Sequence, residues 1–188
     1  MTTATTSLFN GLDVEALQAA ISGVAAEQSA GQLGFAVRTQ WLGGTKAQSS
    51  VDQWTIAGEQ RPRGFTIHAD EPAELCGTNT APNPQELLMA AVNSCIMVGL
   101  VVECCRRGIT LRSVSLETSG TLNLAGFFGL DATVKPGYEE VAVAVTIDAA
   151  APEADIRAAC EAALSRSPNR WNLAMPIAVK PSLTIAGC

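Results

Sequence analysis

The sequence predicts an α+β fold in which antiparallel sheet packs against helices. Segments with helical spacing and segments with alternating apolar spacing follow one another in the order α-βββ-α-ββ-α-β. Strands grouped in this way indicate antiparallel pairing. Of the 188 residues, 47% are hydrophobic, which is enough to build one sizeable core. The length is typical of one domain, and we expect that domain to span residues 11–188.

The first predicted element is a leading helix over residues 12–28. Its sequence is LDVEALQAAISGVAAEQ, and Asp13 stands where an N-cap or first-turn acid stabilises a helix. The i, i+3, i+4 spacing of one helix face recurs at Val14, Leu17, Ile21 and Val24. The preceding residues 1–10, MTTATTSLFN, have neither the basic residue nor the apolar core of a signal sequence. We expect them to be disordered.

Three strand signals follow the leading helix at short spacing. They cover residues 35–44, 49–58 and 63–70. The first alternates and stops at a Gly-Gly turn, and the short spacing of all three predicts a meander. The connection after them, EPAELCGTNTAPNP, is polar and rich in Pro and Gly, and its length is typical of a functional loop.

A long apolar helix comes next, and its ends carry clear signals. Asn83 is a suitable N-cap, and Pro84 occupies the favoured first position. Arg106 and Arg107 complement the negative end of the helix dipole, and Gly108 supplies a left-handed stop. Between these ends the helix is apolar nearly all round. We therefore expect it to be the central helix of the domain, buried on most sides.

The remaining chain alternates between sheet and helix signals. Residues 125–140 and 168–176 are predicted to be connections, because turn-forming residues interrupt the apolar pattern there. The predicted elements are strands at residues 109–124, 140–149 and 177–187 and an amphipathic helix at residues 152–167.

Charge and hydropathy limit the partners of this protein. The net charge is −6, from 12 basic and 18 acidic residues. The basic residues are scattered, which argues against a nucleic-acid partner. The longest apolar run, residues 87–102, is interrupted by Asn93 and Ser94 and is shorter than the ~20 residues of a membrane span. We expect a cytoplasmic protein with no membrane partner.

The cysteine pattern indicates free thiols. A chain of this size without a signal sequence does not have the profile of a disulfide framework. The sequence has no C-x-x-C motif, and its one histidine is His68. A zinc site would therefore depend on thiolates at irregular spacings, so no metal and no cofactor is predicted. The six cysteines are Cys76, Cys95, Cys104, Cys105, Cys160 and Cys188.

Cys95, in the middle of the apolar helix, is either a packed core residue or a nucleophile. The polar pair Asn93-Ser94 beside it faces a polar cavity in one interpretation. In the other, Ser94 bonds to a carbonyl of its own helix and Asn93 bonds to a sheet edge. Cys104 and Cys105 lie beside two arginines, which would lower a thiol pKa if the thiols were exposed. The alternative is one buried thiol and one at the rim.

Four segments carry a resemblance to a known family. They read DEPAELCGTNTAPNPQELLMAAVNSC, RGITLRSVSLETSGTLNLAGFFGLD, KPGYEEVAVAVTI and SRSPNRWNLAMPIAV. Together they resemble the OsmC/Ohr family over about residues 10–185, within a branch that carries a leading helix. The segment Pro-Gln-Glu-Leu-Leu…Cys followed by Arg-Gly-Ile is the specific part, whereas the strands are generic.

The resemblance implies a fold, an assembly and an activity. The implied fold is an intertwined homodimer with two long helices at its centre, sheets wrapped around them and active sites at the interface. The best-known members of the family are thiol-dependent peroxidases. In them a peroxidatic cysteine on the central helix attacks an organic hydroperoxide, and a second cysteine before a proline resolves the sulfenic acid. An arginine from the first sheet and a glutamate at the start of the central helix assist.

Carried over residue by residue, this pattern is only partly present. Cys95 falls on the peroxidatic position. Gln85 replaces the glutamate, and Ser167, before a proline, replaces the resolving cysteine. The position of the family's arginine aligns with either Lys46 or Arg38, because the alignment is loose in this region.

The altered residues leave two functional hypotheses open. Cys160 precedes Ser167 by seven residues, about 10 Å along a helix, and is a poor substitute for a resolving cysteine. In the first hypothesis, Cys95 reduces a small organic hydroperoxide and an external thiol restores it. In the second, the protein is a non-catalytic OsmC-like domain that binds a small apolar ligand at the dimer interface. In a third interpretation Cys95 is purely structural.

Overall fold

The computed structural model describes residues 8–187 and confirms the α+β class, with 38% helix and 31% strand. Its helices and strands are β1 (Leu8–Phe9), β2 (Leu12–Asp13), α1 (Val14–Ala26), β3 (Leu33–Phe35), β4 (Arg38–Gly43), β5 (Lys46–Ile56), β6 (Glu59–Ala69), α2 (Pro84–Arg107), β7 (Thr110–Gly120), α3 (Leu124–Phe127), β8 (Val141–Ala150), α4 (Glu153–Arg166) and α5 (Pro168–Ala174).

The first sheet is the predicted antiparallel meander. Strands β3 and β4 both pair with β5, and β6 pairs along nearly the whole length of β5. Because a strand has only two edges, β3 and β4 share one edge of β5 and form a single strand interrupted at residues 36–37. The expected strand at residues 35–44 is therefore split into two short pieces.

The N-terminal residues of the described chain form a small hairpin. Strands β1 and β2 pair through a turn at Asn10 and Gly11, whose φ angles of 49° and 80° lie in the left-handed region. The Asn10 amide donates to the Ile109 carbonyl at 2.8 Å and accepts from the Leu111 amide at 3.0 Å. The prediction of disorder is thus wrong for residues 8–10, because this side chain ties the hairpin to the rest of the chain. Residues 1–7 of that prediction lie outside the described residues.

Helix α1 is shorter than the predicted 12–28, since Leu12 belongs to β2, but Asp13 caps it as predicted. The Asp13 carboxylate accepts from the Ala16 amide at 2.9 Å, as expected of an N-cap. None of the residues of α1 is buried. The helix packs on the 3-10 turn Gln28–Gly31, where Val24 approaches Gly31 closely. It therefore lies at the periphery of the chain.

A buried carboxylate anchors the long connection between β6 and α2. Asp70 accepts hydrogen bonds from the side chain of Thr45 and from the side chains and amides of Thr78 and Thr80. These bonds, led by that of the Thr78 hydroxyl, hold the Asp70 pKa far below its usual range. The fold of the connection also needs Gly77, since an added Cβ would lie 1.7 Å from the Glu71 carbonyl oxygen. Asp70 thus fixes the path of the chain into α2.

The termini of α2 are those the sequence predicted. Asn83 and Glu86 form a reciprocal capping box, Pro84 occupies the first turn, and Gly108 ends the helix at φ 67°. By length and composition alone α2 could cross a membrane, since its most apolar window has a mean hydropathy of 2.0. Core helices of soluble proteins meet the same criterion, and α2 packs here against α4, α5 and β7.

The core lies on one side of α2 only. Its buried residues come from α2, the following turn, β8 and α4, and they are Leu100, Cys104, Ile109, Ala149, Ala159 and Ala163. On another side α2 exposes Leu88, Ala91 and Val98, the last with 65% of its surface accessible. The prediction that α2 is buried on most sides is therefore wrong within one chain. The segments packed on it cover only part of its circumference.

Within the described residues the second sheet consists of β7 and β8, which pair antiparallel along their length. The predicted strand at residues 177–187 is wrong for this chain, since these residues run without strand pairing. They expose apolar side chains such as Leu183, which is 85% accessible. A strand forms by pairing with the edge of another strand, and among residues 8–187 no strand pairs with this segment. The predicted connections also contain the short helices α3 and α5.

Candidate functional site

Cys95 opens onto a groove of about 620 Å³ between α2, α4, the start of α5 and β3. Most of the groove wall is apolar. Leu33 and Phe35 come from β3, and Val98 and Val102 from α2. Arg106 and Arg166 also line it. The Cys95 thiol thus lies on a surface that a small molecule can reach.

Ser167 touches the Cys95 sulfur. The Ser167 hydroxyl donates to Sγ of Cys95 across 3.2 Å. Ser167 is also the N-cap of α5, where its oxygen accepts from the Arg170 amide at 3.4 Å. Because this amide occupies the hydroxyl oxygen and only 3% of Ser167 is accessible, the hydroxyl proton is directed at the sulfur. The sulfur of Cys95 therefore has a fixed hydrogen-bond donor beside it.

Two contacts hold Ser167 in place, one on each side of it in the chain. The Asn169 amide donates to the Ala91 carbonyl of α2 at 2.9 Å. Arg166, at the end of α4, donates to Glu103 of α2 at 2.8 Å. Both contacts are made to the helix that carries Cys95. The pairing of hydroxyl and sulfur therefore follows from the docking of the α4–α5 junction on α2.

Glu103 is the centre of a charge cluster. Its side chain is 8% accessible and contacts Arg106 at 3.0 Å, Arg107 at 3.4 Å and Arg166 at 2.8 Å. Sequence analysis missed this cluster. A signal was available, since a carboxylate in an apolar helix must find a cation and Arg106-Arg107 follows within one turn. The contribution of Arg166 depends on tertiary packing.

The side chains of Asn93 and Ser94 have a structural role, because both make hydrogen bonds within the fold. The Ser94 hydroxyl donates to the Ala90 carbonyl at 2.8 Å. The Asn93 side chain accepts from the Thr118 hydroxyl on β7. The second of the two interpretations, a bond within the helix and a bond to the sheet, therefore describes this pair.

The other residues suggested by the resemblance do not meet Cys95 within one chain. Gln85 lies ten positions earlier on α2, about 15 Å along the helix axis. Arg38 lines a different groove together with Ser50 and Asp52. Lys46 pairs with Gly43 at the turn between β4 and β5. The structure thus brings together Cys95 and Ser167 alone among the predicted site residues.

The remaining described cysteines lie away from the groove opening. Cys104 and Cys105 are both buried, so the expectation of a rim thiol is wrong: the N-terminal hairpin covers Cys105, whose thiol donates to the Phe9 carbonyl at 3.2 Å. Burial raises the pKa of Cys104 and of Cys160. Cys76 lines another groove, with Leu75 and Phe128 among its neighbours.

Two further points concern metals and the last cysteine. Within residues 8–187 no group of three His, Cys, Asp or Glu side chains is arranged to hold a metal ion. Cys188 lies outside the described residues.

Comparison with known proteins agrees with this architecture. A family model described as OsmC-like protein matches residues 77–182. The structure of an OsmC-like protein from Mycoplasma pneumoniae aligns with a TM-score of 0.60 at 15% identity, over 74% of this chain and 86% of that one. An OsmC-like protein of unknown function from Vibrio cholerae aligns with a TM-score of 0.53 at 12% identity, over 72% and 90%. At these identities the likeness shows the fold alone. No curated protein matches the chain significantly.

Proposed function

Because the chain belongs to the OsmC-like family, we propose that it reduces organic hydroperoxides through Cys95 alone, with an external thiol as reductant. One observation carries the proposal: the buried Ser167 hydroxyl donates to the Cys95 sulfur at the wall of an accessible groove. Thiolate is the reactive form of cysteine, and a sulfur anion at this position would accept the Ser167 hydrogen bond. A serine cannot form a disulfide, so the oxidised sulfur must be reduced by a thiol that enters from outside.

The proposed cycle has three balanced steps. The Cys95 thiolate attacks one peroxide oxygen, an S–O bond forms as the O–O bond breaks, and the leaving alkoxide takes a proton to become an alcohol. Sulfur is now a sulfenic acid. A first external thiol displaces its oxygen as water and forms a mixed disulfide with Cys95. A second thiol cleaves this disulfide, restores the Cys95 thiol and leaves as the oxidised disulfide.

We further propose that the protein acts as a homodimer. The exposed stripe of α2 that includes Val98, together with the unpaired segment of residues 177–187, presents apolar surface that a second copy would cover. A dimer would also allow Lys46 or Arg38 and Gln85 of one protomer to approach Cys95 of the other. Light scattering coupled to size exclusion tests this: a mass of one chain at micromolar concentration would exclude it.

The activity is tested by consumption of cumene hydroperoxide in the presence of a thiol. We expect Cys95→Ser to abolish turnover, since the hydroxyl cannot be oxidised in the same way. The matched control is Cys76→Ser, which removes an exposed thiol elsewhere and should keep full activity. Equal rates for wild type and Cys95→Ser would exclude the proposal.

A second variant tests the role assigned to Ser167. In Ser167→Cys a second sulfur takes the place of a hydroxyl oxygen that lies 3.2 Å from Cys95 Sγ, close enough for the two sulfurs to be joined when both side chains take the dihedral angles of a disulfide. We expect peroxide to convert this variant into an intrachain disulfide, with loss of two thiols. If both thiols are still free after peroxide treatment, the proposed geometry is wrong.

The second candidate function is non-catalytic binding of a small apolar ligand. Its support is the groove wall of Leu33, Phe35 and Val98, all exposed in the single chain. Native mass spectrometry discriminates the two candidates, because a retained ligand together with an inactive Cys95 favours binding. In either case we place the protein in the cytoplasm, without nucleic-acid or membrane partners.

A further inference from the structure

A groove of about 550 Å³, termed the acidic groove, lies between the β4–β5 turn, the β6–α2 connection and α3. Its volume is within the range of small-molecule sites. The described residues that line it belong neither to the Cys95 groove nor to the exposed stripe of α2 or residues 177–187. It is therefore separate from the thiol and from the surface that a second copy would cover. The lining includes Glu71, Glu74, Leu75, Leu124, Phe127 and Phe128.

The acidic groove holds two carboxylates and no cation of its own. Glu71 and Glu74 line it, and its described lining contains no Lys, Arg or His. Neither carboxylate forms an ion pair within residues 8–187. Because the chain as a whole carries a net charge of −6, its field also attracts cations. These charges favour a positively charged ligand over a neutral or negative one.

One oxygen of Glu71 lacks a hydrogen-bond donor. Its Oε2 atom is buried and has no partner among the described residues. A charged oxygen in this state costs free energy, because water is removed and no donor replaces it. Glu71 as a whole is only half-buried, and the terminal torsion of a carboxylate is broad, so rotation brings this oxygen to a donor that enters the groove. The unpartnered oxygen therefore indicates a ligand with N–H groups.

The backbone holds Glu71 in place without using its side chain. The Glu71 amide donates to the Asp70 carboxylate at 2.9 Å, and the Glu71 carbonyl accepts from the Asn79 amide at 3.0 Å. Gly77 packs so closely on this carbonyl that an added Cβ would lie 1.7 Å from its oxygen. The fold thus positions the carboxylate before a ligand arrives, which lowers the entropic cost of binding.

The wall that α3 contributes is aromatic. The rings of Phe127 and Phe128 pack edge to face with their centroids 5.2 Å apart. The two residues are 69% and 59% accessible, and Leu75 and Leu124 extend the apolar surface. A hydrocarbon body laid on this wall removes apolar area from water on both partners, and the faces of aromatic rings attract cations. The wall therefore suits the apolar part of a cationic ligand.

We propose that the acidic groove binds a small primary amine in its ammonium form, with the ammonium group on the two carboxylates and an aromatic or hydrocarbon body on Phe127 and Phe128. The N–H donors of the ammonium group satisfy the unpartnered oxygen of Glu71, and hydrogen bonds between charged groups are the strong ones. Binding involves no reaction at Cys95, so the inference is independent of the proposed peroxidase activity.

An NMR titration of the full chain at pH 7 tests binding with four probes: 2-phenylethylamine, 2-phenylethanol, 3-phenylpropionate and butylamine. We expect 2-phenylethylamine to bind about tenfold more tightly than 2-phenylethanol, since only the amine brings charge and ammonium donors. The carboxylate 3-phenylpropionate should bind most weakly. Butylamine should bind about tenfold less tightly than 2-phenylethylamine, because it covers less apolar surface. Salt should weaken binding of the amines and not of the alcohol.

Two results of this titration would overturn the proposal. One is equal affinity for 2-phenylethylamine and 2-phenylethanol at all salt concentrations, which would remove the role of the carboxylates. The other is no binding of any probe.

Variants locate the ammonium group. Glu71→Gln keeps the shape of the side chain and should weaken 2-phenylethylamine about tenfold while leaving 2-phenylethanol unchanged. Glu117→Gln is the matched control, because Glu117 is exposed on β7 and does not line the groove, and its effect should stay below twofold. Phe128→Leu should weaken both ring-bearing probes about threefold. An equal loss of amine affinity in Glu71→Gln and Glu117→Gln would overturn the assignment.

The thiol of Cys76 reports occupancy of the groove in the unmodified chain, so this measurement stands if a variant fails to fold. Cys76 is exposed and lines the groove. At ten times its Kd, 2-phenylethylamine should slow alkylation of Cys76 by iodoacetamide about tenfold, as the unoccupied fraction falls, and should leave the rate at Cys95 unchanged. Peptide-resolved mass spectrometry measures both rates. An unchanged rate at Cys76 would place the bound amine elsewhere and overturn the inference.

Discussion

Cys95 and Cys104 lie nine positions apart on the same helix, yet their surroundings differ in solvent exposure and in hydrogen bonding. At about 100° per residue, nine residues rotate the side chain by two and a half turns. The two thiols therefore point to opposite faces of α2. One face meets the groove, and the other meets the core.

The contrast between the two faces is one of exposure and hydrogen bonding. Cys95 faces an accessible groove and receives the Ser167 hydroxyl. Cys104 is 0% accessible and packs among Leu100, Ile109 and Ala159, and burial raises its pKa. The comparison teaches that on an apolar helix the tertiary neighbours, and not the local sequence, determine which thiol can react.

The largest expected effect is in the alkylation rates of the two thiols. Iodoacetamide should modify Cys95 at least about 1000-fold faster than Cys104, because modification of Cys104 requires local unfolding. Peptide-resolved mass spectrometry over a time course measures both rates. In urea-unfolded protein, the control, the two rates should converge. Similar alkylation rates in the folded protein would show that the two faces of α2 do not differ in accessibility.

The next largest effect is expected on stability, when one apolar residue on each face of α2 is truncated. Leu100→Ala should lower the free energy of unfolding by about 3 kcal/mol, because Leu100 is fully buried and a cavity remains. In the monomer, studied at dilutions below dimer dissociation, Val98→Ala should change the free energy of unfolding by less than about 0.5 kcal/mol, because Val98 is mostly exposed in the single chain. Urea denaturation of both variants measures this. A comparable loss in Val98→Ala would show that the groove face is covered.

The raised pKa of Cys104 predicts a loss of stability at alkaline pH. The folded state favours the neutral thiol, so its contribution is fully present below the ordinary thiol pKa and is lost as pH rises toward the raised value. Above a pH of about 8.5 the free energy of unfolding should fall by up to about 1.4 kcal/mol per pH unit for each such thiol. Cys104→Ala should flatten the slope between pH 8 and 10 in urea titrations. An unchanged slope would mean that Cys104 titrates alike in both states.

The smallest expected effect concerns the hydrogen bond to Cys95. Ser167→Ala should slow Cys95 alkylation at pH 7 several-fold, since the hydrogen bond that holds the sulfur in place contributes about 1 kcal/mol. Ser94→Ala is the matched control, because that hydroxyl bonds a carbonyl of the same helix. Identical alkylation rates for the two variants would show that Ser167 does not act on the sulfur.

Local signals in the sequence located the elements that carry the site. Asp13, Asn83 and Gly108 cap their helices as predicted, because capping involves residues within one turn of each other. The meander was also predictable, since its strands are neighbours in sequence. The helix α5 was missed because it has only seven residues, too few for a periodic pattern to stand out.

Contacts between segments that are distant in the sequence could not be predicted from local patterns. Glu103 and Arg166 are 63 positions apart, and their pairing depends on how α4 packs against α2. The strand predicted at residues 177–187 failed for a similar reason. Its alternating pattern predicted a strand, but a pattern does not supply an edge with which to pair.

The sequence by itself determined the helix ends, the opposite facing of Cys95 and Cys104 and the absence of a cysteine at position 167. Each of these follows from residue identity and from the period of one helix. Only the tertiary structure decided that Ser167 meets Cys95 and that two arginines stand at the end of the same groove. The reason is physical: hydrogen bonds and ion pairs act over a few ångströms, and packing alone brings residues more than sixty positions apart within that range.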